Sequence, residues 1–215
     1  MHEFDLDLPA VAVITPTWKR DLSIIDRCIR SVKSQSYNGK IIHLICSDGE
    51  EEPAVKDLVN SYKDVRTQYH CVVESTNSYG GGVRHWILEN FVKDASFISY
   101  VCHVDDDNVI FPHYIEAHVN ALENAKDCQF SICKIVHLGP LPSHLGNAPQ
   151  VINGIPPVFQ NIDTLQVMVR KEAMVQCGWD HFSGEKGYYN DGYTYDRLGK
   201  MFKWIEVPEL LAIHI

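Results

Sequence analysis

Three consecutive carboxylates, Asp105-Asp106-Asp107, followed by Asn108, stand directly after the apolar run that ends in His103-Val104. Like charges this close repel one another, so the group needs water or a cation beside it. A hard divalent ion such as Mg2+ or Mn2+ takes oxygen ligands and commonly uses one or two carboxylates plus phosphate oxygens. Taken alone, the triplet reads equally well as an acidic surface turn. It lacks the glycine and the late glutamate of an EF-hand loop. A second polar turn, Ser47-Asp48-Gly49, follows another apolar run, and by itself it reads as a plain turn. A third segment, Asn77-Ser78-Tyr79-Gly80-Gly81-Gly82, leads into Val83-Arg84. Glycines let backbone approach a ligand closely, and a helix N-terminus favours anions. Arg84 adds a possible bidentate contact to phosphate. The competing reading is a flexible loop with a solvent-facing arginine.

These three turns share a position in the chain pattern. Val11 to Thr15, Ile41 to Ser47, Gln68 to Val73 and Phe97 to Val104 read as short buried strands. Between them lie helical stripes: Asp21 to Ser36, a segment opened by Pro53, and Gly82 to Lys93, with a further helix over Pro112 to Asn124. Alternating strands and helices predict an open, mostly parallel sheet with helices on its faces. Ligands in such sheets bind beyond the carboxyl ends of the strands, where Thr15 to Arg20 and the three turns fall. The second half predicts strands over Phe130 to His137, Thr164 to Val169 and Trp204 to Ile213. A short helix is expected over Lys171 to Cys177. Gly139 to Pro157 and Gly184 to Gly192 read as loops, the latter followed by a helix to about Met201. With no clean linker, residues 1–215 are expected to form one domain, about 1–110 for nucleotide binding and about 111–215 for the acceptor.

Composition narrows the classes. Hydrophobic residues make up 45% and charged residues 22%, the mix of an ordinary globular chain. A formal net charge of -9 argues against a broad nucleic-acid surface. No apolar run reaches the roughly 18 residues of a membrane span, and Met1 to Ala10 does not read as a secretory signal. The seven cysteines form no CxxC pair and are expected to be small buried hydrophobes in a reducing cytosol. A P-loop is absent, and Thr15-Pro16-Thr17-Trp18 stands where a dinucleotide fold needs GxGxxG.

Val13-Ile14-Thr15-Pro16-Thr17 with Arg20, then Ser31-Val32 and Gln35, resembles the opening of family 2 glycosyltransferases of GT-A fold. Ser47-Asp48-Gly49 resembles that family's nucleobase turn, Asn77 with the triple glycine its next loop, and Asp105 to Asp107 its DxD motif. Gly178-Trp179-Asp180 is similar to its "GGFDE" stretch and Asn190-Asp191 to its "ED" motif. Val207-Pro208 to His214 resembles its closing strand. The resemblance spans about Val11 to His214. It implies a Rossmann-like, mostly parallel sheet and a metal-dependent inverting enzyme that moves a sugar from a nucleotide-sugar to an acceptor hydroxyl.

The same resemblance implies roles. The nucleotide lies across Thr15, Pro16, Thr17, Arg20 and Asp48, with Asn77, Gly81 and Arg84 in the second binding loop. Asp105 or Asp106 serves the ribose side. Asp107, with Asp105 and His214, holds Mn2+ or Mg2+. A carboxylate at Asp48 can accept from uracil N3–H, so a UDP-sugar is the expected donor. The acceptor is a glycan, a lipid-linked or another hydroxyl compound, and the location is cytoplasmic or at a membrane periphery. Asp191 is the expected catalytic base, with Glu185 and Asp196 as rivals and a helix N-cap as the alternative for Asp191. The remaining histidines, among them His85, His103 and His181, are expected to be structural. Departures are Glu50 where the family has serine, Asn190 where it has glutamate, and the lack of a QxxRW motif. Two other classes stay open: a nucleotide-sugar pyrophosphorylase, and a non-catalytic nucleotide-sugar binder, to which Asn190 lends its support.

Overall fold

The computed structural model describes Asp5, residues 7–139 and residues 147–215. β1 (Ala10–Thr17), β2 (Ile41–Asp48), β3 (Thr67–Val72) and β4 (Ile98–His103) form the parallel half of a nine-stranded sheet. Their order is β3-β2-β1-β4. The chain therefore moves outward from β1 through β2 to β3 and then returns to β4 on the other side of β1. That reversal opens a crevice between the carboxyl ends of β1 and β4, where Ile14 pairs with His103. Three short helices cover this half. α1 (Leu22–Lys33) is capped by Asp21, whose side chain accepts from the Ser23 N–H at 2.7 Å, and Arg30 and Lys33 in its last turn complement the helix dipole. α2 (Pro53–Ser61) starts on the proline. α3 (Gly81–Ile87) is shorter than the expected 82–93 helix, because its continuation over Leu88–Val92 widens into a π-turn.

The second half of the sheet is mixed. β5 (Val109–Ile110), too short to carry a pattern, precedes α4 (Tyr114–Asn124). β6 (Phe130–His137) pairs with β7 (Gln150–Ile152), which lies inside the segment expected to be loop. Residues 140–146 of that segment lie outside the described residues. β8 (Val167–Arg170) inserts antiparallel between β4 and β6. α5 (Lys171–Cys177) and α6 (Asn190–Met201) follow, and β9 (Trp204–His214) closes the sheet parallel to β6 and antiparallel to β5. The expected strand over 164–169 begins only at Val167: Asp163 caps a 3-10 turn over Thr164–Gln166, with Gln166 completing a capping box. The expected loop over 184–192 is a 3-10 turn, Gly184–Tyr189, and α6 already starts at Asn190.

Alternation along β1 feeds both faces. Ala12 and Ile14 join Val83, Ile87 and Tyr195 on one side, while Val11 and Val13 meet Tyr100 and Tyr114 on the other. Every residue of β1 except Pro16 is buried, which makes it the central strand and fixes its register.

Candidate active site

A cavity of about 730 Å3 opens at the carboxyl ends of β1, β2 and β4, against the start of α6 and the end of β9. Such a volume suits a small-molecule ligand. Pro16, Thr17, Arg20, Asp48, Asn77, Arg84, Asp105, Asp106, Asp107, Asp191 and His214 all line it, which brings together residues spread over the chain. Two expected residues stand elsewhere. Thr15 is fully buried, and its hydroxyl donates to the Val104 carbonyl at 2.7 Å, tying β1 to β4. Gly81 packs against α6, where an added Cβ would stand 2.3 Å from Asn190 Nδ2.

The acidic triplet is held by two arginines. Arg20 Nε donates to Asp106 Oδ1 at 2.9 Å, and its Nη2 reaches Asp107 Oδ2 at 2.9 Å. Arg84, itself buried, donates to Asp105 and lies 5.2 Å from the centre of the Trp179 ring. Burial pushes the Asp106 carboxyl up to about 6, against the opposing pull of Arg20. Asp107 is also raised, by burial first and then by the charge of Asp105. Carboxylates that repel one another inside a partly buried cleft are suited to a divalent cation, and their oxygens match a hard ion. Asp105 and Asp107, both half-buried and facing the cavity, thus fit such an ion.

Asp48 is fixed by the glycine loop. Its two oxygens accept from the Thr76 N–H and hydroxyl, each at 2.8 Å. A carboxylate has further lone pairs, so acceptor capacity remains for a ligand. The loop is in turn tied to the second half of the chain, where the Gly184 N–H donates to the Asn77 carbonyl at 2.9 Å.

A family model for glycosyl transferase family 2 matches residues 12–148. The chain belongs to glycosyl transferase family 2. No curated protein matches it. Among solved structures, S. aureus TarS superposes with a TM-score of 0.73 at 11% identity, over 95% of this chain and 36% of that one. TarS 1-349 in complex with UDP gives 0.70 at 13% identity, over 94% of this chain and 59% of that one. The complex of TarS 1-349 with UDP-GlcNAc gives 0.69 at 12% identity, over 94% and 57%. The fold is therefore GT-A, as the residues resembled, and this family 2 chain spans a third to three-fifths of the TarS chains it matches.

At the start of α6, two adjacent side chains meet different surroundings. Asn190 is buried and fully engaged: its amide donates to the Ser78 and Phe182 carbonyls at 3.1 and 3.0 Å, and its oxygen accepts from the Phe182 N–H at 2.9 Å. An amide has donors and an acceptor; a carboxylate would lose both donations. Asp191, which like Asn190 lines the cavity, has different partners. Its carboxylate accepts from the Thr164 hydroxyl at 3.1 Å and from the Gly192 N–H at 2.7 Å. Burial, with the nearby charge of Asp163, raises it to about 6. Of the rival acids, Asp196 is paired with Lys200 at 2.5 Å, and neither it nor Glu185 lines the cavity as described.

Residues missed in the sequence complete the wall. Trp18, Tyr79 and Tyr188 line it and are exposed. Asp163, Thr164 and His137 also line it. His137, expected to be structural, stacks on His214 with ring centres 4.0 Å apart, and Asp163 Oδ2 lies 2.8 Å from His214 Nδ1. Burial opposes a charge on His214, but Asp163, helped by Asp105 and Asp107, outweighs it and raises the imidazole to about 9. The one signal available for Asp163 was the Asp-x-x-Gln capping pattern, which marks a turn and says nothing about a site. Among the described residues, no helix is long and apolar enough to cross a membrane.

Proposed function

We propose that this domain is a metal-dependent, inverting glycosyltransferase that moves a sugar from a UDP-sugar to an acceptor hydroxyl. The observation that carries the reading is a single cavity with the Asp105 to Asp107 cluster and Asp191 on its wall, the latter raised to about 6. A base shifted toward neutral pH is suited to general-base work. Family 2 membership supports the reaction class, and the UDP and UDP-GlcNAc complexes of TarS support the donor class.

In this reading residues to about 110 hold the nucleotide and those from about 111 the acceptor. Asp48 accepts from the base, with its orientation set by Thr76. Thr17, Pro16 and Asn77 border the nucleotide. Asp105 and Asp107 would hold Mn2+ or Mg2+, an ion that neutralises charge on a departing diphosphate. Asp191 takes the proton of the acceptor hydroxyl as its oxygen forms the new bond to the anomeric carbon. The bond from that carbon to the diphosphate breaks on the opposite face, which inverts the centre. Asn190 holds the loops around this base, so its replacement of an acid is accounted for by scaffolding and needs no loss of turnover. Seven unpaired cysteines, four of them buried, suit a reducing, cytoplasmic setting.

The test is UDP release from a panel of UDP-sugars in Mn2+. Release should stop in EDTA and return with added Mn2+. Undiminished release in EDTA would contradict the metal requirement, and no release from any UDP-sugar would contradict the reading itself.

A further inference from the structure

Tyr79, Tyr188, Tyr189 and Phe159 line the cavity and are joined in one aromatic run. Tyr79 meets Tyr188 edge-on, with ring centres 5.6 Å apart. Tyr188 meets Tyr189 in the same way at 5.2 Å, and Tyr189 lies 5.6 Å from Phe159. Core rings would be covered, yet Tyr188 is 64% exposed and Tyr79 65%. Large aromatic surface left open to water in a concave site marks a place that a ligand covers. The run ends beside Asp191. An added Cβ at Gly192 would stand 3.0 Å from Phe159 Cδ2, so this ring lies against the backbone that follows Asp191.

The same wall is poor in positive charge. From Ile135 to Val169 the sequence holds no lysine or arginine and one acid, Asp163. Gln160 and Asn161, which line the cavity, carry amide donors and acceptors. Among the described lining residues there is no lysine, and the two arginines, Arg20 and Arg84, are paired with the acidic triplet. His137 and His214 both face Asp163, at 4.0 and 2.8 Å. Lys186, from the same 3-10 turn as Tyr188, sets its ammonium 3.6 Å from the centre of the Phe182 ring. A phosphate or carboxylate on a ligand at this wall would meet Asp163 and Asp191 without a cation committed to it.

We propose that the acceptor is a neutral saccharide, seated with its C–H face on this aromatic run and its hydroxyls toward Gln160, Asn161 and Asp191. The C–H face of a pyranose is apolar and slightly positive, which matches the negative face of an aromatic ring, while its rim of hydroxyls needs donors and acceptors. Naming the ligand an acceptor rests on the transfer reading above; its binding as a saccharide does not.

The experiment is saturation-transfer NMR on the intact chain, with and without UDP and Mn2+. The probes are neutral tetramers of glucose, galactose, mannose and N-acetylglucosamine, with oligogalacturonate and decyl phosphate as anionic counterparts. At least one neutral tetramer should receive saturation at its ring C–H protons, and the two anions should not. Its affinity should fall about three- to tenfold in Tyr188→Ala and recover in Tyr188→Phe. Tyr188 is exposed, so neither change removes a core side chain. No binding of any neutral tetramer, stronger binding of either anion, or unchanged affinity in Tyr188→Ala would each overturn the proposal. UDP release is scored separately: a neutral tetramer bound by a chain that releases no UDP would support the saccharide site and contradict transfer, whereas UDP release without tetramer binding would contradict this inference alone.

Discussion

At Asp191 a carboxyl group in the first turn of α6 is raised to about 6 by burial and by Asp163. The folded protein therefore disfavours its ionised form. Stability from this group is complete below the unfolded value near 4 and is lost as pH rises through about 6. In the proposed mechanism catalysis runs the other way, since a base at Asp191 must be ionised: turnover should fall as pH drops through about 6. Asp191→Asn is expected to lower the transfer rate by about 10²–10⁴ with UDP affinity retained. The same change should stabilise the chain at pH 7.5, by on the order of 1–3 kcal/mol, a gain that vanishes near pH 4. Rates at several pH values and thermal unfolding of both proteins check the two signs. Near wild-type turnover in the variant would remove Asp191 from the role. Asn190 shows how far single residues were readable. Its identity signalled a departure from the family, but the carbonyls it binds come from Ser78 and Phe182, distant in sequence or in another loop. Asn190→Asp should lose both donations and lower stability by at least about 1–3 kcal/mol. An unshifted denaturation midpoint would contradict that assignment.

At the scale of elements, the four parallel strands were legible because each is a short apolar run ending in a polar turn. The crevice between β1 and β4 followed from their order. β8 was not legible in the same way, since Thr164-Leu165-Gln166 continues the apolar pattern while Asp163 caps it into a turn. Nor could local pattern place β8 between β4 and β6, because pairing is nonlocal. The aromatic and acidic wall contributed by residues 159–164 was hidden for that reason. The glycine loop gives the sharpest test at this scale. An added Cβ at Gly82 would stand 2.4 Å from Thr76 Cβ. Gly82→Ala must therefore displace Thr76, which orients Asp48 through two hydrogen bonds. UDP affinity by calorimetry should fall about tenfold or more, matching the loss of one charge-assisted bond, and Thr76→Val should reproduce the direction. Unchanged affinity in both would place the nucleobase elsewhere.

For the whole molecule, the central claim is a division of labour within one cavity: donor on the side of Asp105 to Asp107, acceptor activation at Asp191. Arg20 and Arg84 hold the triplet within the parallel half, and the Asn77–Gly184 contact between loops ties that half to the second. Removing a donor ligand and removing the base should then have separable consequences. The most direct measurement is calorimetric titration of UDP in Mn2+ into wild type, Asp107→Asn and Asp191→Asn, with UDP-sugar turnover followed on the same samples. Turnover should be lost in both variants, while UDP binding is weakened at least tenfold in Asp107→Asn and preserved in Asp191→Asn. Equal UDP affinity in wild type and Asp107→Asn, or loss of binding in Asp191→Asn, would contradict the account.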